Sequence, residues 1–329
     1  MRYPWTNELW DQLQRRHQQQ RLPHALLLAG PQGLGKAEFA RDLAQGLLCE
    51  QPDEKGAACE QCRACARFAA ATHPDFLVVE PEEPGKAIKV DQIRELIRQF
   101  ALASHQGGYR VAIVQPAEQM NLAAANSLLK TLEEPPAESL ILLITANPSL
   151  LPATILSRCQ RLDFIPPSHA QALDWLIKQH AMPQAKAEAL LAVASDAPLN
   201  ALTLEQDTTL AEREGLFRSF TAIAQGQNAL AQLDPWLKLA LPTPINWLSS
   251  WINDLIRLKS GLPLALRNHD LREGLQNLAQ RVDLQGLFEL LDELNNLLRM
   301  QRSPLNMQLV MEGVLLRWQA LNSSKADNR

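Results

Sequence analysis

The chain has 329 residues, too many for one small core, so two or three domains are expected. Its formal net charge of −4 argues against a free-standing nucleic-acid binder, whose domain is usually basic, while leaving room for local basic patches. The start Met1-Arg2-Tyr3-Pro4-Trp5 lacks the apolar core of a secretion signal, and no run reaches the roughly 20 apolar residues of a membrane span. A cytoplasmic protein with no membrane partner is expected.

In chain order, Ala25-Leu26-Leu27-Leu28-Ala29 is a short apolar run suited to a buried strand. It runs into Gly30-Pro31-Gln32-Gly33-Leu34-Gly35-Lys36-Ala37, the phosphate-loop pattern G-x-x-x-x-G-K-[ST] without its last letter. Gly30, Gly33 and Gly35 let backbone amides turn toward phosphates, and Lys36 supplies charge to the outer phosphates. The residue that would hold Mg²⁺ through a hydroxyl is Ala37. Residues 37–48 are good helix formers, so strand, loop and helix N-terminus together make an anion site. The plainer alternative is a glycine-rich turn in an α/β protein.

Four of the five cysteines follow closely: Cys49, Cys59, Cys62 and Cys65. In a reducing compartment such spacing indicates a metal site more than a disulfide framework. Four thiolates suit a tetrahedral structural zinc. Iron–sulfur ligation is the rival, and nothing else in the chain suggests electron transfer. A four-thiolate site is closed to substrate, so its role is to staple a small insertion.

Beyond it, Phe76-Leu77-Val78-Val79 is a strand candidate. Asp91 is a plausible N-cap for a helix over 92–103. Val111 to Val114 is the next strand, and it ends in Gln115-Pro116. Phosphate-loop ATPases carry a metal-binding acid there, often followed by a water-activating Glu. Glu118 is near, but two residues further on. Three missing oxygen functions in two motifs argue against metal-assisted hydrolysis. A helix over 121–132 is stopped by Glu133-Glu134-Pro135-Pro136. Strands over 140–144 and 162–164 complete the pattern. Strands alternating with helices predict a parallel, helix-covered sheet, with ligands beyond the carboxyl ends of its strands.

After Phe164-Ile165-Pro166-Pro167 every periodic stretch reads helical. Helices are expected over 170–180 and 184–194, with a linker or weak helix near 202–212. About five more are expected over 216–321, bounded by Pro235, Pro242, Pro244, Pro263 and Pro304. Trp247, Trp251, Leu255 and Leu258 share one helix face. Leu309, Val310, Val314, Leu315 and Trp318 mark the last helix, beginning at Leu305. These stripes are either an internal core or a surface for partner subunits. The tail 323–329 is polar and expected to fray.

With these residues set out, the chain resembles the bacterial DNA polymerase III clamp-loader subunits of the AAA+ group over nearly its whole length. The most specific pieces are the four-cysteine insertion, Ser127-Leu128-Leu129-Lys130-Thr131-Leu132-Glu133-Glu134-Pro135-Pro136, and Leu156-Ser157-Arg158-Cys159. The run Asn306-x-x-Leu309-x-x-Glu312-x-x-Leu315-Leu316-Arg317 is similar to the family's collar helix. The resemblance implies an AAA+ nucleotide-binding-like domain over 1–167 with a zinc module at 49–66, a helical lid over 168–208, and an all-α collar over 209–329. It implies that Arg158 serves as an arginine finger in trans, where a surface ion pair is the plain alternative. It places Thr145, or its neighbour Asn147, at a sensor position.

Three departures matter: Ala37, Gln115-Pro116, and Asn200 where the motor subunits keep a sensing arginine. They resemble a non-motor, stator-type subunit that binds ATP or ADP without hydrolysis, if at all. An active motor-type ATPase is the alternative. Implied partners are the gamma/tau motor subunits, the delta subunit, the sliding clamp, and primer-template DNA reached through the complex.

Overall fold

The protein is described from a computed structural model covering residues 3–83, 85–102, 104, 108–205, 209–239, 243–261, 266–299 and 306–323. The expectations at Ala103, Pro242, Pro263, Pro304 and Leu305, and for the tail beyond 323, lie outside the described residues. The chain divides into two compact units, Met1–Pro167 and Ser168–Arg329.

The first unit is built on five parallel strands: β1 Ala25–Ala29, β2 Phe76–Val79, β3 Arg110–Val114, β4 Ser139–Thr145 and β5 Gln160–Asp163. Their order is β2-β3-β4-β1-β5. Every residue of β1, β3 and β4 is buried. Helices cover both faces of these central strands, which is why they read as unbroken apolar runs and not as alternation. Leu26, Leu27 and Leu28 are at most 1% exposed, and each contributes about 1.5–3 kcal/mol through burial.

The helices of this unit are α1 Asn7–Gln18, α2 Lys36–Leu48, α3 Arg63–Ala69, α4 Val90–Phe100, α5 Leu122–Glu133 and the short α6 Ala153–Leu156. Asn121 caps α5, its side chain accepting the Ala124 amide at 2.8 Å. The cap expected at Asp91 lies elsewhere: α4 begins at Val90 with Lys89 at its N-cap. The Gln92 side chain accepts the Lys89 amide at 2.9 Å, across the first turn of α4. Asp91 instead sits in the first turn, where its charge suits the helix N-terminus. The last strand begins two residues earlier than its apolar letters suggest. It is an edge strand held by backbone pairing to β1 from Leu26↔Gln160 onward, and only Leu162 of its side chains is buried.

The second unit is entirely helical among the described residues. Helices α7 His169–His180, α8 Gln184–Val193 and α9 Pro198–Glu205 enclose one small core that includes Leu176, Leu190, Leu191 and Ala201. Ser168 and Gln171 form a capping box at the start of α7. The remaining helices are α10 Thr209–Ala224, the short α11 Asp234–Leu237, α12 Thr243–Lys259, α13 Arg272–Ala279, α14 Leu284–Arg299 and α15 Met307–Ser323. They share a separate core centred on Phe220, Trp236, Trp251 and Trp318. Phe220 and Trp318 stack at 4.0 Å, and the Trp318 indole N–H donates to the Phe220 carbonyl at 2.9 Å. Trp247, Trp251 and Leu255 are buried, and Leu258 packs against the same core. On α15 the expected stripe splits. Val314, Leu315 and Trp318 are buried, whereas Leu309 is 65% exposed.

Candidate functional site

The phosphate-loop sequence folds as a loop between β1 and α2, at the carboxyl end of the sheet. Gly30 has φ of 150°, Gly33 of 75° and Gly35 of 79°, all in the region that favours glycine. A Cβ on Gly30 would lie 2.2 Å from the Phe164 carbonyl oxygen, so glycine is required there by contact as well as by backbone angle. Gly35 caps α2 in a left-handed conformation, which brings the first amides of α2 to the loop.

Lys36 is 6% exposed. Its Nζ donates to the carbonyls of Gly30 at 2.6 Å and Pro31 at 2.5 Å. Burial pushes its ammonium down to about 8, against which the carboxylates of Glu118 and Glu38 favour the charged form. Ala37 is the second residue of α2 and carries no oxygen. The Gln115 amide is engaged with Glu80 Oε1 at 2.5 Å.

Glu118 is the residue that spacing alone undervalued. It lies in a 3-10 turn over Ala117–Gln119, and its Oε1 accepts the Ala146 amide at 3.0 Å. It is thereby held against the end of β4, and its charge reaches Lys36. The only sequence signal for it was an acidic residue soon after β3. Thr145, the last residue of β4, is fully buried. Its carbonyl accepts the Gly30 amide at 3.3 Å, and its Oγ1 accepts the Asn147 amide at 3.0 Å. The structure therefore brings Gly30, Lys36, Glu118 and Thr145 together. Asn200 lies in α9, in the other unit.

Arg158 follows α6 and is one-third exposed. Its guanidinium donates to Glu133 Oε1, 2.7 Å from Nε and 2.5 Å from Nη2. Its Nη1 reaches the Thr154 carbonyl at 3.0 Å and Ser157 Oγ at 3.2 Å. Glu133 is the last residue of α5, so two motifs distant in sequence meet in one ion pair at the surface of the first unit.

The four cysteines converge after α2. Their sulfurs all lie within 4.8 Å of one another, with Cys49 3.5 Å from Cys59 and 3.9 Å from Cys62. A tetrahedral zinc with Zn–S of about 2.3 Å sets sulfur–sulfur edges near ~3.8 Å, so the cluster fits such an ion. Backbone amides also aim at the sulfurs: Gln51 and Cys59 at Cys49, Cys62 at Cys59, and Cys65 at Cys62, all at 3.3–3.4 Å. Such donors favour thiolates. For Cys62, burial alone would raise the thiol, but the amides of Cys65 and Glu50 and the thiols of Cys65 and Cys59 outweigh it and bring the group down to about 6. The insertion is seated closely: the Trp10 indole donates to the Lys55 carbonyl at 2.8 Å. A Cβ on Gly46 would lie 2.3 Å from the Gly56 carbonyl oxygen. Cys159 lies apart, buried, its thiol pushed up to about 12 by desolvation.

Comparison with known proteins gives consistent matches along the chain. A family described as "DNA polymerase III, delta subunit" matches residues 5–168, and "DNA polymerase III, delta subunit, C terminal" matches residues 207–320. The chain is 37% identical to the DNA polymerase III subunit delta' of Pseudomonas aeruginosa, covering 97% of this chain and 98% of that one. It is 31% identical to the subunit delta' of Escherichia coli, over 96% and 94%. A shorter similarity, 35% over 44% of this chain, reaches the DNA polymerase III subunit tau of Bacillus subtilis, of which it covers 25%. With such identity sustained from one end to the other, the chain belongs to the DNA polymerase III subunit delta' family.

Proposed function

We propose that this protein is a non-catalytic stator subunit of a clamp-loader complex, which completes a neighbour's ATP site with Arg158 and does not hydrolyse ATP itself. The observation that carries this reading is the phosphate loop. It keeps its glycine geometry and a buried Lys36, yet Ala37, Gln115 and Pro116 stand where Mg²⁺ and the attacking water need oxygen ligands. ATP or ADP binds through Gly30, Gly33, Gly35 and Lys36, with Thr145 at the sensor position, and is not turned over. Cys49, Cys59, Cys62 and Cys65 hold one structural zinc, which supplies cross-linking of the insertion and no catalysis.

Three domains follow from this reading: 1–167 as the AAA+ body, 168–208 as a lid, and 209–329 as a collar. The two separate helical cores of the second unit support the last division. The collar gathers gamma/tau and delta subunits, and the assembled ring acts on the sliding clamp and primer-template DNA in the cytoplasm. Polymerase activity belongs to the larger assembly. The test is ATP turnover by the purified chain alone and after mixing with its motor subunit. Turnover only in the mixture is expected. Steady-state hydrolysis by the isolated chain that disappears in Lys36→Ala would identify a motor-type ATPase instead.

A further inference from the structure

We propose that Glu118 is a built-in counter-anion of the phosphate loop, so that the site takes a nucleoside diphosphate in preference to the triphosphate. The inference rests on the nucleotide-binding reading above and adds a specificity to it. Glu118 is not part of the phosphate-loop motif, and it takes the place of neither missing magnesium ligand in sequence. The fold nevertheless fixes it at the site. Its Oε1 accepts the Ala146 amide at 3.0 Å. The preceding residue, Thr145, binds the Gly30 amide through its carbonyl at 3.3 Å, and the Gly30 carbonyl accepts from Lys36 at 2.6 Å. A chain of short contacts thus joins the carboxylate to the lysine. The Glu118 Oε2 atom is shut off from solvent.

In a phosphate loop the backbone amides cradle the inner phosphates, and the lysine reaches outward to the terminal ones. β1 and β4 are paired at Ala29↔Thr145, so a third phosphate extending past Lys36 lies over the end of β4, where Glu118 is held. Two anions then share one lysine in a place where water screens them poorly. The repulsion would normally be relieved by Mg²⁺, and Ala37 and Gln115 remove its usual protein ligands. A diphosphate stops short of this conflict and leaves Lys36 shared between phosphate and Glu118.

The test compares ADP and ATPγS binding by calorimetry to the full-length chain in EDTA, and again with Mg²⁺. Glu118→Gln is nearly isosteric and keeps an acceptor for the Ala146 amide. In EDTA the unmodified protein should bind ADP at least about tenfold more tightly than ATPγS. Glu118→Gln should tighten ATPγS by about tenfold while moving ADP by less than about threefold. Equal gains for both nucleotides, or no change in their ratio, overturn the inference. So does a loss of ATPγS affinity in Glu118→Gln confined to Mg²⁺, which would make Glu118 a metal ligand. If ADP binds in a Lys36-dependent way and the ratio stays fixed, only the role of Glu118 falls. If neither nucleotide binds either protein, the nucleotide reading falls with it.

Discussion

Arg158 lies in the first unit, committed to Glu133 through two guanidinium nitrogens. The pair is partly exposed, and such pairs contribute about 0–1 kcal/mol, so Glu133 aims the arginine more than it stabilises the fold. Arg158→Ala should therefore leave the thermal midpoint within about 3 °C of the parent. On the stator reading proposed above, the same change should lower DNA-stimulated ATP hydrolysis by the assembled complex, by less than the 10³–10⁵ of a sole arginine finger. Equal loss of assembly and hydrolysis would assign Arg158 to the interface alone. Lys36 gives a second expectation. Its ammonium is depressed by burial to about 8, and a bound phosphate favours the charged form and raises it again. The lysine is charged without ligand below about pH 8, so affinity is flat there and falls as pH rises above that value. An ADP titration from pH 7 to about 9.5 should show the decline, and a flat profile would mean Lys36 does not carry the phosphate.

Between elements, the clearest device is the cysteine insertion. Cys49 ends α2, Cys62 caps α3 and Cys65 lies within it, so one ion would tie two helix ends across a segment with little regular structure. Cys59→Ser should reduce bound zinc from about one per chain to near zero, read by elemental analysis. It should also open residues 49–65 to protease while the sheet stays protected. Retention of full zinc in Cys59→Ser would exclude that residue as a ligand. The helix caps follow simpler rules. Asn121, expected only as the start of the helix over 121–132, is the N-cap of α5, whereas Asp91 falls in the first turn of α4, whose N-cap is Lys89.

At the scale of the molecule, the described helices α10 to α15 bury their tryptophans and leave other apolar groups outside. Phe288 of α14 is 48% exposed, and Leu309 and Leu316 of α15 are 65% and 44% exposed. Leu309 and Leu316 are seven residues apart, two turns along one face. Leu309→Asp with Leu316→Asp should weaken entry into the complex without lowering the thermal midpoint. Trp318→Ala, which empties the centre of the core, should cost about 3–5 kcal/mol in denaturant unfolding. If the double variant assembled with parental affinity, this face would not be the assembly surface.

The sequence by itself determined the parallel sheet, the glycine loop, the cysteine cluster and the all-helical second half. Each is written in local spacing: apolar runs for strands buried on both faces, fixed glycine positions for a turn, and close cysteines for a cluster that could hold one ion. Only the tertiary structure decided what depends on side chains meeting across the chain. It turned Glu118 back onto the end of β4, joined Arg158 to Glu133, started β5 at Gln160, and left Leu309 outside a stripe that otherwise folds inward. None of these is set by periodicity. An edge strand is held by backbone pairing that any side chain permits, and a carboxylate's partner depends on the position of a strand some 28 residues away.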